Sequence, residues 1–140
     1  PVGQDEIVSN YISMLTEIIA QEKRKEGLNE ALIRHLVGKA EEWGGPIIKR
    51  GVGFNFSQFI FNMANIYQEA MLAVRDETYY QKGVELYRLG LRYSPDRPIF
   101  LYSLFDMYRF RGDNENARKI GERIFEVYKD ERVRQTLQSL

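Results

Sequence analysis

The stretch 64–95, ANIYQEAMLAVRDETYYQKGVELYRLGLRYSP, and the stretch 98–129, PIFLYSLFDMYRFRGDNENARKIGERIFEVYK, stand 34 residues apart and decide how this chain is read. Laid over one another, Ala64 meets Pro98, Tyr67 meets Leu101, Ala70 meets Leu104, Met71 meets Phe105 and Val74 meets Tyr108. Further along, Gly83 meets Ala117 and Gly90 meets Ile124. Large apolar residues recur in the first half of each copy, and a small residue recurs early in the second half. A period of this length holds two helices of roughly a dozen residues and two short turns. Such helices approach closely only where one offers a small side chain to a large one on the other. One pair leaves an apolar face open, which a neighbouring pair must cover.

Outside the two copies, helical spacing continues. Asp5 to Glu26 predicts a helix whose stripe is Ile7, Tyr11, Leu15, Ile18 and Ile19, widened by Val8 and Ile12. Asp5 and Glu6 at its start and Lys23, Arg24 and Lys25 at its end suit the helix dipole, and Gly27 is a natural C-terminal cap. Asn29 to Trp43 predicts a second helix capped by Asn29, with Leu32, Leu36 and Trp43 on one face and Ile33 and Val37 beside it. GGPIIKRGVG, Gly44 to Gly53, reads as a break, because glycine and proline continue a helix at high cost. A third helix is expected from Ser57, as N-cap, to Arg75, and a fourth from Asp76-Glu77-Thr78 to Tyr93. Pro98 suits the first turn of a fifth helix, which ends at Gly112-Asp113. A sixth spans Glu115 to Tyr128, and a short seventh, Glu131 to Leu140, carries Val133, Leu137 and Leu140 on one side. No sustained period-2 alternation appears, so the chain reads as all-α, built from antiparallel helix pairs.

Composition narrows the function. The chain has 140 residues, room for one domain or a few stacked repeats. Twenty basic residues balance twenty acidic ones, which argues against a protein built to grip nucleic-acid phosphates. With no cysteine and only His35, thiol chemistry, cysteine-type zinc sites and multi-histidine metal sites are excluded within one chain, and no cofactor is expected. Phe59 to Val74, the most apolar stretch, is interrupted by Asn62, Asn65, Gln68 and Glu69 and is too short and wet to cross a membrane. The opening residue Pro1 suggests a fragment of a longer protein, whose preceding part would hold any membrane anchor. Gly51-Val52-Gly53 lacks both the third glycine of a dinucleotide loop, since residue 56 is Phe56, and any following lysine–serine or lysine–threonine pair. Asn55-Phe56-Ser57 matches the glycosylation triplet, but its flanking phenylalanines suggest burial. The paired acids Glu41-Glu42, Asp76-Glu77 and Asp130-Glu131 are sequence neighbours, which point about 100° apart on a helix and form no acid/base pair.

The 34-residue period with these residues resembles the tetratricopeptide repeat family over 57–129. Leu101, Leu104, Tyr108, Gly112-Asp113 and Ala117 follow the family's order in the second unit, and Tyr67, Ala70, Gly83, Tyr87, Gly90 and Pro95 follow it in the first. Met71 and Phe105 depart from it where the family has a small residue, Gly121 where it has an aromatic, and Lys129 where it has the closing proline. Ala31 and Gly38, spaced like Gly83 and Gly90 with His35 at the aromatic position, suggest the second helix of a divergent third repeat. The resemblance implies a right-handed superhelix. Its segments would be 1–53, a helical pair with its connector, and 54–140, two repeats and a capping helix, in one continuous domain.

It also implies a non-catalytic interaction or scaffold domain that takes a protein or peptide segment on its concave face. The family's groove positions fall on Asn65, Gln68, Leu72 and Arg75 and on Ile99, Tyr102, Asp106 and Arg109. Of these, Asn65, Gln68, Arg75, Tyr102, Asp106 and Arg109 carry the polar and aromatic chemistry for binding. The lysine–asparagine clamp that holds chaperone C-termini is absent, its places being taken by Gln68, Leu72 and Ser103. Residues 79–128 are also similar to the soluble helical tails of bacterial O-antigen ligase or polymerase-like membrane proteins. That likeness implies a regulatory tail in polysaccharide assembly, on the cytoplasmic or periplasmic side. A small hydrolase built around His35 ranks last, for want of a nucleophile–base motif.

Overall fold

The computed structural model describes residues 2–53 and 55–140, without the side chain of Val2; Pro1 and Phe54, which open the two expected segments, lie outside it. Among the described residues there are seven α-helices and no strand, as the all-α reading requires. They are α1 (Val2–Lys23), α2 (Glu30–Arg50), α3 (Phe56–Val74), α4 (Glu77–Tyr93), α5 (Pro98–Arg111), α6 (Asn114–Tyr128) and α7 (Glu131–Gln138). The chain divides into two compact units, Pro1–Leu86 and Tyr87–Leu140, and the division falls inside α4.

In the first unit α1, α2 and α3 each pack on the other two. α1 carries two adjacent apolar stripes, and only one can face its neighbours. Ile12, Leu15, Thr16 and Ile19 are buried, whereas Ile7 and Ile18, expected on the core stripe, are exposed. Thr16 satisfies its hydroxyl inside the helix by donating to the Ile12 carbonyl at 2.8 Å. At the α1–α2 turn Glu22 accepts from Lys25 Nζ at 2.8 Å and from the Asn29 N–H at 2.8 Å, and both bonds hold its carboxyl below the ordinary range.

The expected break at Gly44 to Gly53 is not there: α2 runs through Gly44-Gly45-Pro46 to Arg50, and the connector to α3 is only residues 51–55. Pro46 is exposed and forfeits one amide donor. Against that, Gly44 is buried where no side chain fits. A Cβ there would come within 2.8 Å of Ile12 Cδ1 and closer still to the Met63 sulfur. Packing on α1 and α3 therefore outweighs local propensity. Gly51, left-handed at φ 74°, closes the helix with its N–H on the Ile47 carbonyl. The buried face of α2 is Ile33, Leu36, Val37, Ala40, Gly44 and Ile47. Trp43, expected on that face, is half-exposed and meets the Tyr11 ring edge-on, centroids 6.2 Å apart. Ala31, His35 and Gly38 are all exposed, so the expected small–aromatic–small register is corrected. The small residues at the helix crossing are Ala40 and Gly44 instead.

α3 is buried on two sides, through Phe56, Phe59, Ile60, Met63, Ile66 and Tyr67 among others. Its N-cap is Asn55 rather than Ser57, and Asn55 is exposed while Phe56 beside it is buried.

In the second unit the closing turns of α4 meet the start of α5. Gly90 is buried, and a Cβ on it would clash with the edge of the Phe100 ring, 2.3 Å from Cε1. The Tyr87 and Phe100 rings lie 6.5 Å apart. Gly112, at φ 77°, ends α5, and Asp113 caps α6 by accepting from the Asn116 N–H. α6 packs on α5 and on α7. Gly121 leaves its space to side chains of the neighbouring helices. A Cβ there would meet Leu137 Cδ2 at 2.7 Å and Phe105 Cε2 at 2.8 Å.

Burial recurs with the 34-residue period. Tyr67 and Leu101, Ala70 and Leu104, Met71 and Phe105, Gly83 and Ala117, and Gly90 and Ile124 are buried in both copies. Two pairs break the match: Ala64 with Pro98, which is exposed at its helix start, and Val74, half-buried, with Tyr108, buried.

These crossings separate two glycine substitutions. Gly90→Ala overpacks the Phe100 contact and should cost about 1–3 kcal/mol. Gly38→Ala, on an open helix face with nothing within 4 Å of the new methyl, should be neutral or stabilising by up to about 1 kcal/mol. Urea unfolding of the two variants checks the order, and equal effects would contradict the crossing.

Candidate functional site

The six sequence-predicted binding residues fall as two sets of three, one in each unit. On α3 of the first unit Asn65 and Gln68 are half-buried. Arg75 is exposed at the C-cap, left-handed at φ 57°, with its N–H on the Met71 carbonyl at 2.8 Å. On α5 of the second unit Tyr102 donates its hydroxyl to Asp130 Oδ2 at 2.6 Å. Burial, then Asp130, pushes that hydroxyl up to about 12. Asp130 Oδ1 accepts from the N–H groups of Arg132 and Val133, so Tyr102 is tied to the cap of α7. Arg109 approaches Asp106 to 3.9 Å and lies over the Phe105 ring at 5.3 Å. His35 is exposed, and its ring makes no hydrogen bond among the described residues. No group of three or more His, Cys, Asp or Glu among them is placed to hold a metal, and no helix is long and apolar enough to cross a membrane.

The Tyr102–Asp130 pair has a sign that can be checked. The hydrogen bond from Tyr102, then the backbone N–H bonds, hold the Asp130 carboxyl below its ordinary 3.8. A depressed carboxylate stabilises the fold above its unfolded value and loses that contribution as pH falls through the folded value. Tyr102→Phe should therefore raise the Asp130 midpoint toward 3.8 and loosen α7 at a higher pH. Carboxyl-carbon NMR titration reads this directly, and an unchanged midpoint would remove the tie.

Three hollows among the described residues bear on the site. In the first unit a groove of about 440 Å³ is lined by α2, α3 and α4, from Glu41, Lys49, Met63, Tyr67, Lys82 and Glu85 among others. Three of its polar groups, Glu41, Tyr67 and Lys82, satisfy one another. Tyr67 donates to Glu41 Oε2 at 2.9 Å and Lys82 to the same oxygen at 2.8 Å, with Lys82 5.7 Å from the Tyr67 ring centroid. Burial first, and Glu41 next, push the Tyr67 hydroxyl far above the ordinary phenol range, so it is a fixed donor rather than a base. A smaller cleft of about 220 Å³ lies beside Asp5, whose carboxylate is held by Arg50 at 2.5 Å.

The second unit holds a groove of about 380 Å³ between α4, α5 and α6. Its floor is Leu91, Leu104, Tyr108 and Ile120, and its rim carries Arg88, Arg92 and Lys119. Lys119 is paired with Glu115 at 2.9 Å. Arg88 and Arg92 are exposed, one turn apart on α4, and neither has an ion pair among the described residues. Burial raises the Tyr108 hydroxyl while the Arg88 charge opposes it. This groove escaped the sequence reading, which looked to the first helix of each pair. The signal was a like-charge pair four residues apart, which weakens an isolated helix and so serves something other than the helix.

Comparison with known proteins finds no matching family model, no matching curated protein and no matching solved structure. The groove must be interpreted from its own chemistry.

Proposed function

We propose that this chain is a non-catalytic interaction module, related in design to tetratricopeptide repeats, that takes an acidic amphipathic segment of a partner protein in the α4–α5–α6 groove. The supporting observation is the apolar floor of Leu91, Leu104, Tyr108 and Ile120 bordered by Arg88 and Arg92, exposed cations with no ion pair among the described residues. An amphipathic segment would place apolar side chains on the floor and carboxylates against the arginines, which bind carboxylates in two-point fashion. The charge of the rim would speed encounter and reject basic segments.

A fluorescein-labelled helical peptide with leucines on one face and glutamates beside them is the probe. Its affinity for the full chain should fall at least about tenfold in Arg88→Glu with Arg92→Glu, and should weaken as salt is raised. The variant Asp106→Ala with Arg109→Ala, on the α5 face, should keep it. Retained affinity in the charge-reversed variant, or equal binding of a lysine-for-glutamate peptide, would reject the groove.

A further inference from the structure

We propose that two copies of this chain pair through α1 in an antiparallel, two-fold arrangement. The surface concerned is in the first unit, away from the groove residues proposed above. Ile7 is 69% exposed, Met14 51% and Ile18 36%, and the half-buried Tyr11 completes the row. Trp43, 52% exposed and edge-on to Tyr11, extends it onto α2. Single exposed apolar residues need no explanation, but a continuous row of this kind marks an interface.

The row itself points to a second copy. Its residues step by four, three and four, which is symmetric about a point between Ile12 and Ser13. A two-fold axis there sets Ile7 against Ile18 of the second copy, and Tyr11 against Met14, a favourable sulfur–aromatic match. Asn10 and Ser13, exposed beside the row at its centre, are short and uncharged and let the helices approach.

Charge agrees with this direction and opposes the parallel one. Antiparallel helices oppose their dipoles. The acidic first turn of one copy then lies near the basic end of the other, with Glu6 about five residues, or roughly 7.5 Å along the axis, from the exposed Arg24 of the second copy, while Lys23 is held by Glu69 of its own chain at 2.6 Å. The two copies of Glu17 end about nine residues apart, near 13 Å, beyond the screening length at physiological salt. Parallel pairing would instead set the exposed Arg24 beside its own copy.

Sedimentation equilibrium of the full chain over the micromolar range tests this with Ile7→Lys and Ile18→Glu, both at exposed positions, their helicity checked by circular dichroism. The wild type should dimerise, and each variant alone should weaken the dimer at least about tenfold. An equimolar mixture of the two variants should restore it, because the new lysine then faces the new glutamate while Ile18 still meets Ile7. A monomeric wild type, dimers that ignore the single substitutions, or folded variants that fail to rescue one another would each overturn the proposal. A wild type that stays monomeric would leave this face to some other helix.

Discussion

Closeness at the helix crossings is the constraint on which the rest depends. Gly44 lets α2 come down on Ile12 and Met63. Gly90 receives the ring of Phe100, and Gly121 receives Leu137 and Phe105. At each crossing one helix gives up its side chain so that the other can insert a large one, which is how packed interiors reach their density. The gain is buried aromatic and aliphatic area; the loss is helix propensity at the glycine. Packing wins clearly in α2, which stays helical across two glycines and a proline.

Surface features follow from those crossings. Because Phe100 docks on Gly90 and Phe105 on Gly121, α4, α5 and α6 hold Leu91, Leu104, Tyr108 and Ile120 as a common floor. The arginines of α4 border that floor from a rigid element rather than a loop. Likewise, once Ile12, Leu15 and Ile19 are committed to the core of the first unit, the second stripe of α1 has nowhere to turn but outward. Polar side chains serve as ties at the joints. Tyr102 reaches the cap of α7, Tyr67 and Lys82 share Glu41, and Arg34 spans from Glu30 to Asp76 at 2.7–2.8 Å.

Local signals in the sequence were reliable where the cause is local. Asn29 caps α2, Pro98 opens α5, Gly112 with Asp113 ends one helix and caps the next, and the 34-residue recurrence returns as recurrent burial. Errors came where a distant contact decides. GGP looked like a break because nothing nearby reveals that Met63 and Ile12 need the space at Gly44. On α1 and α2 two apolar stripes lay side by side, and periodicity alone could not choose between Ile7 and Ile12, or between Trp43 and Ala40. The groove was harder still. Arg88 and Arg92 gain meaning only once α6 brings Ile120 beside Leu91, whereas Tyr102 turned out to be engaged by Asp130 of its own chain.

The crossing of α4 with α5 offers the most direct measurement, a double-mutant cycle of Gly90→Ala and Phe100→Leu followed by urea unfolding. If the methyl and the ring compete for one space, shortening Phe100 relieves the alanine, and the double variant is more stable than the sum of the single losses by about 1 kcal/mol. Strict additivity of the two losses would mean that the glycine and the ring do not meet, and the packing described for the second unit would be wrong.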